Sequence, residues 1–256
     1  MKITQEQKKK IISLFPKPRG NVKIDGGVLL EALVYICENG CTWRSLPASF
    51  GPRHTIYMRI SRRAKNGAPE RIYGRLREER IMNGPISAVS LDSTSVKVHP
   101  GAAGAFKKNG KQALGRSRGG LNTKIHMTVS SETCAVGFIL SGGEAGDAPE
   151  GRLLLDTIGR IRPPCGDPVF LLMDRACEDW QTRWLAFQWG CTPMVPPKKN
   201  RKHPWKYDKE LYKRRNEVER MFRRLKAFRR IATRYDKLDL LFSAFIYLAL
   251  CIIIVC

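Results

Sequence analysis

A chain of 256 residues in which 46 lysines and arginines face 23 aspartates and glutamates carries a formal charge of +23. Solubility needs far less, so the excess points to a polyanionic partner, nucleic acid before an anionic membrane surface. With 43% hydrophobic residues and five tryptophans the chain can bury a sizeable core, which excludes a disordered basic tail.

The start, MKITQEQKKKIISLF, has no long apolar run and therefore no secretory signal, and Thr4 is placed to cap a helix running to about Phe15. RGNVKIDG reads as a turn-rich connector, GGVLLEALVYICENG as a second, apolar helix, and CTWRSLPASFGPRHT as a link punctuated by Trp, Pro and Gly. HTIYMRISRRAKNG and PERIYGRLREERI complete a set of short helices. A helix, a punctuated turn and a helix bearing Arg59, Arg62 and Arg63 suit a helix-turn-helix-like DNA reader. The plainer alternative is a basic, solvated helix on a structural bundle.

From residue 86 the pattern changes. ISAVSLDSTSVKV is β-rich and leads into a loop rich in Gly and Lys, after which TKIHMTVSS and CAVGFILSG read as two strands about a Ser-Glu-Thr turn. APEGRLLLDTIGRI is a helix, PVFLLMDRACE a buried strand with a charged end, WQTRWLAFQWG a helix and TPMVPP a short strand. A long helix from about Lys209 to Phe228 follows. Strands interleaved with helices imply an α/β domain, a mixed sheet flanked by helices, over 86–256, preceded by a small all-α domain over 1–85. The closing stretch from Leu240 to Cys256 is almost wholly apolar but falls short of the ~20 residues that span a bilayer, so a buried closing helix is expected.

The eight cysteines include no CxxC pair, and Cys37 and Cys41 lack companions that would complete a zinc site. Idle thiols fit a reducing, cytoplasmic compartment. Two aspartates are more telling: Asp92 within AVSLDSTSV and Asp174 at the end of VFLLMDRAC. A carboxylate on a buried strand is costly unless paired or bound to a cation, and sites in open α/β sheets gather at strand ends.

YKRRNEVERMFRRLK, residues 212–226, keeps two glutamates in a run otherwise rich in Arg and Lys. A helix advances about 100° per residue, so Tyr212, Arg215, Glu219 and Lys226 share one narrow stripe. Leu211, Val218, Phe222 and Leu225 form the face expected to pack on the sheet, with Glu219 at its edge. Glu217 lies on the far side, beside Lys213 and Arg214, where pairing within the helix accounts for it. Convergence of Asp92, Asp174 and Glu219 would call for Mg²⁺ or Mn²⁺, because oxygen-only ligation does not suit zinc. Two such ions can clamp the attacking and leaving oxygens of a phosphodiester. The surrounding cations, among them Lys198, Lys199, Arg201 and Lys202 in a basic loop, would then neutralise the DNA backbone; for that loop plain solvation is the alternative. His99 reads as a loop histidine.

These residues resemble a known family. Tyr212, Arg215, Glu219 and Lys226 fit the Tyr-x2-Arg-x3-Glu-x6-Lys signature of insertion-sequence DDE transposases. FRRIATRYDKL, LDSTSVKVH, LLMDRACED and GCTWRSLPASFG look like its insertion-sequence-five branch in particular, and the likeness covers essentially the whole chain. The resemblance implies a ribonuclease H-like catalytic core with Asp92, Asp174 and Glu219 as metal ligands, holding two Mg²⁺ or Mn²⁺ ions. Tyr212, Arg215 and Lys226 would position DNA. It further implies cleavage at the terminal inverted repeats, transfer of the exposed 3′-OH to target DNA, end recognition by the N-terminal helices, a homodimer or larger synaptic assembly, and a place with the bacterial nucleoid rather than a membrane. The apolar tail departs from the polar ending expected of the family. A catalytically inactive, transposon-derived DNA-binding protein is accordingly the alternative.

Overall fold

The computed structural model describes residues 3–16, 20, 24–82, 86–158 and 169–256. In chain order its helices and strands begin with α1 (Gln5–Ser13), α2 (Gly26–Asn39), α3 (Arg53–Lys65) and α4 (Ala68–Met82). Next come β1 (Ala88–Val98), β2 (Gly115–Ser117), β3 (Gly120–Ser131), β4 (Cys134–Gly142), α5 (Asp147–Ile158) and β5 (Val169–Met173). Then follow α6 (Trp180–Gln188), β6 (Cys191–Met194), α7 (Lys209–Lys213) and α8 (Asn216–Lys226). The chain closes with α9 (Arg229–Ala232), β7 (Thr233–Arg234) and α10 (Asp239–Val255). Half of the connector RGNVKIDG, the end of the helix expected past residue 158, and residues 83–85 beside the expected domain boundary lie outside the described residues.

The chain forms two compact units, and they interleave along the sequence. One comprises Met1–Glu79, Lys97–Gln112 and Arg224–Cys256; the other comprises Arg80–Val96 and Ala113–Arg223. Composition predicts one boundary near residue 85; the fold instead returns the C-terminal stretch to the helical unit. The reason is burial. From Leu241 to Ile253 most of α10 is inside, and α2, α3 and α9 pack against it. No described helix is long and apolar enough to cross a membrane.

In the helical unit Thr4 and Gln7 form a reciprocal capping box on α1, and the Gln7 side-chain amide donates to the carbonyl of Val255 at 2.7 Å, satisfying the last turn of α10. Gly40 ends α2 at φ 62°, in the left-handed region, where a side chain would also meet Arg229. Two segments quoted above for their family likeness meet here. Trp43 lies edge-on to Tyr57 and tilted against Phe245, and the Arg230 guanidinium sits 4.6 Å from the Phe245 ring. Arg230, only 2% exposed, makes a two-pronged ion pair with Asp236 at 3.0 and 2.7 Å and donates to the Cys41 carbonyl. Arg234 donates to the Asp236 carbonyl and pairs with Asp239 at 2.7 Å. Much of GCTWRSLP and FRRIATRYDKL is thus a structural knot.

In the other unit β3 pairs antiparallel with β4 along most of its length and is also a neighbour of β1; β1 and β5, then β5 and β6, pair in parallel. The order β4-β3-β1-β5-β6, with helices packed on it, is the ribonuclease H-like core, and β2 adds a short hairpin to β3. Strand side chains alternate between faces, which sorts the core into two clusters. Val89, Leu91, Leu171 and Met173 pack with Leu154 and Leu155 of α5 and Ala186 of α6. Ala88 and Leu172 point the other way, toward Tyr207 and toward Leu211 and Tyr212 of α7. Asp92 and Asp174 have the parity of Ala88 and Leu172, so both face the α7 side.

Candidate active site

The register Leu91↔Met173 is the last pair of the parallel β1–β5 ladder. Asp92, within β1, and Asp174, just past the end of β5, are the next residues along, side by side about 4.8 Å apart in backbone terms. Each carboxylate is steadied locally: Asp92 Oδ1 accepts the Ser93 N–H at 2.8 Å, and Asp174 Oδ1 caps the following turn by accepting the Arg175 N–H at 2.6 Å.

The third acid arrives on a helix that differs from expectation. The predicted helix from Lys209 to Phe228 is broken at Arg214–Arg215, dividing it into α7 and α8. Tertiary contacts hold the break: Ser90 Oγ donates to the Arg214 carbonyl at 3.4 Å, and the Arg214 guanidinium donates to Ser87 Oγ at 2.9 Å. Tyr212 donates its hydroxyl to the Met173 carbonyl at 3.3 Å, seating α7 over the strand end that carries Asp174. Of the expected apolar stripe, Val218, Phe222 and Leu225 are buried and Leu211 is partly buried; Met221, outside that stripe, is buried too, and Glu217 pairs with Arg214 at 3.2 Å.

Arg215 joins the acids. Its guanidinium donates to Asp92 Oδ2 at 2.6 Å and to Glu219 Oε1 at 3.0 Å, bridging strand and helix. Burial raises the Asp92 pKa, with Arg215 opposing and the nearby charges of Asp174 and Glu219 adding to the rise. For Arg215 burial works downward, yet the charges of Asp92, Tyr212, Asp174 and Glu219 together leave its pKa raised. Asp174 and Glu219 thus each act on both Asp92 and Arg215. As arranged, no three His, Cys, Asp or Glu side chains among the described residues stand as a metal-holding group, and the Arg215 guanidinium lies between Asp92 and Glu219. The donor chemistry itself, carboxylate oxygens only, fits a hard divalent cation. Arg215 keeps one further donor, Nε, buried without an acceptor among the described residues.

The other expected DNA contacts fare unequally. Lys198 and Arg201 both pair with the buried Glu178 at 3.3 Å, while Lys199 and Lys202 are exposed. Arg59, Arg62, Arg63 and Lys226 belong to the helical unit. There Arg59 donates to the Ile24 carbonyl, and Arg63 lies 4.5 Å from the Phe15 ring with its pKa lowered to about 10 by burial and by Arg59. Neither is a freely solvated cation; on α3 it is Arg62, with Arg53 and Lys65, that is exposed. His99 is a loop residue, accepting the Gly101 N–H and packing on Tyr235.

Comparison with known proteins identifies the family. The family model for a transposase DDE domain matches residues 83–254, and that for a putative transposase of the IS4/5 family matches residues 3–73. A putative transposase for insertion sequence element IS6501 from Brucella ovis is 26% identical over 129 residues, half of this chain and 95% of that protein. Among solved structures, the Mos1 transposase paired-end complex with left transposon end is similar at 14% identity and a TM-score of 0.28, over 70% of this chain and 60% of that one. A match across two thirds of the sequence, with the helical segment matched separately, decides membership: the chain belongs to the DDE transposases of the IS4/5 type.

Proposed function

We propose that the chain cleaves DNA at the inverted-repeat ends of its element and transfers the freed 3′-OH to target DNA, using Asp92, Asp174 and Glu219 as the ligands of two Mg²⁺ or Mn²⁺ ions. The observation that carries this reading is the placing of Asp92 and Asp174 side by side just past the end of the β1–β5 ladder, with Glu219 tied to Asp92 through Arg215. Divalent ions held there would activate the attacking oxygen and stabilise the leaving one, so no covalent enzyme–DNA intermediate is needed. Arg215 neutralises Asp92 and Glu219 and holds them together until a DNA phosphate offers its guanidinium another acceptor; Nε supplies a donor for it. Tyr212 anchors α7 over β5 and so fixes the start of the segment that carries Arg215. Exposed cations, Lys199 and Lys202 here and Arg62 on α3, serve the phosphate backbone. The N-terminal helices recognise the element ends, and a dimer or larger synaptic assembly brings two ends together.

The test is Asp92→Asn and Glu219→Gln in a cleavage and strand-transfer assay on element-end DNA with Mg²⁺ or Mn²⁺. Each should reduce both steps by at least about a thousandfold, the scale of losing a group that stabilises the transition state, while end binding persists. Cleavage at the wild-type rate in either variant refutes the triad. Absence of cleavage by the wild-type chain, with end binding retained, supports the inactive DNA-binding reading.

A further inference from the structure

Helix α6 presents to solvent what a helix ordinarily hides. Trp180, Trp184 and Phe187 follow at i, i+4 and i+7 and are 71%, 51% and 52% exposed, while Thr182 and Ala186 on the opposite side are fully buried. The Trp180 and Trp184 rings stack on each other, 5.8 Å between centroids and 22° between planes. An apolar stripe of this kind marks an interaction surface.

Cations lie on one flank of it. Arg183, on the same helix, lies 4.0 Å from the Trp205 ring, and Arg201 lies 4.3 Å from that ring. Trp205 is itself fixed by donating Nε1–H to the Val195 carbonyl at 2.8 Å. Two carboxylates precede α6: Asp179 caps it by accepting the Thr182 N–H at 2.9 Å and pairs with Arg152 at 3.1 Å, and Glu178 is 7% exposed and turned inward. It accepts the Lys198 N–H at 2.9 Å and pins Lys198 and Arg201, so it holds the basic loop in place without opposing an anion. Helix α6 begins six positions after Asp174.

We propose that this face is a stacking platform for unpaired nucleotides of a DNA strand, the indoles taking base faces while the Arg183–Lys202 flank takes phosphates. The proposal rests on the reading of DNA as substrate and adds a subsite to it. Charge selects the occupant. A second copy docked two-fold on α6 would set one basic loop against another, a repulsive arrangement, whereas a nucleic acid strand complements both the rings and the cations. Base faces are accessible only where a strand is unpaired, so paired duplex is not the ligand of the indoles.

The experiment uses the full chain in EDTA, with a fluorescent single-stranded oligonucleotide and a blunt duplex of the same sequence as probes, read by anisotropy. Trp180→Ala with Trp184→Ala should weaken single-strand binding by about tenfold or more, the scale of losing a stacked base, and leave duplex binding nearly unchanged; Trp180→Phe should retain most of it. Equal loss for both probes, or no loss for either, overturns the platform. So does a change from dimer to monomer by light scattering with single-strand affinity intact, which assigns the face to a second copy. Should the double variant fail to fold, iodide quenching of the wild-type tryptophans decides: protection on adding the single strand supports the platform, and its absence overturns it. The assay scores no cleavage, so its failure leaves the assignment of Asp92 standing, and failure of that assignment leaves this result standing.

Discussion

At Arg215 one guanidinium neutralises two acids that would otherwise repel each other and a third nearby. Replacing it by glutamine leaves partly buried carboxylates without their cation. The thermal midpoint without divalent ions should fall, by about 1–3 kcal/mol in stability. Added Mn²⁺ should raise the midpoint of Arg215→Gln more than that of the wild type, because no guanidinium competes for the same oxygens. Equal increments in a thermal-shift assay would contradict the bridging role. The i,i+4 relation of Arg215 to Glu219 was legible in the stripe. Its reach to Asp92 was not, because nothing local says which carboxylate on a distant strand a long side chain meets. A second residue was unreadable for the same reason. His126 is 1% exposed, bonded to Ser141 at 2.7 Å, and its pKa is lowered to about 4 by burial, with Asp147 opposing and Lys124 assisting. The unfolded chain takes up this proton from about pH 6.5 downward, the folded chain only near pH 4. This contribution to stability is therefore whole above pH 6.5, is lost between 6.5 and 4, and amounts to on the order of 3 kcal/mol. Urea titrations at pH 7 and pH 5 should show the loss in the wild type and a smaller one in His126→Gln.

Among elements, the strands and most helices follow the sequence pattern closely: CAVGFILSG is β4, and the expected cap at Thr4 starts α1. Hydrophobic periodicity and capping chemistry are local, so they survive into the fold. The break between α7 and α8 does not show in the sequence, since YKRRNEVER contains no Gly or Pro and the interruption comes from Ser87, just before β1, and from Ser90 and Asp92 of β1. Gly40 is the opposite case, an Asn-Gly stop whose left-handed backbone the sequence announces. Gly40→Ala should cost about 1–2 kcal/mol by chemical denaturation, because the added methyl must adopt an unfavourable backbone region and meets Arg229. A larger effect is expected in the knot. Asp236→Ala strands a buried Arg230 and should cost about 3–5 kcal/mol, measurable in the same assay. A loss below about 1 kcal/mol would show that Arg230 finds another partner.

Over the whole molecule, the apolar C-terminus proves to be core. Phe242, Phe245, Ile246, Leu250 and Ile252 of α10 are fully or almost fully buried within the helical unit. A fragment ending at residue 85 therefore lacks the helix that closes its own interior and should show no cooperative thermal transition, whereas the full chain should show one. Cooperative unfolding of the fragment would establish the N-terminal helices as a self-sufficient domain. The sequence by itself determined the order of strands and helices, the family, and the three acids as candidates, because periodicity, caps and motif spacing are properties of neighbours along the chain. Only the tertiary structure decided that Arg215 stands between Asp92 and Glu219, that α10 returns to the N-terminal helices, that Arg59 and Arg63 are spent on internal contacts, and that the rings of α6 face outward. Each of those depends on which distant surface covers a side chain, and burial is settled by the packed whole.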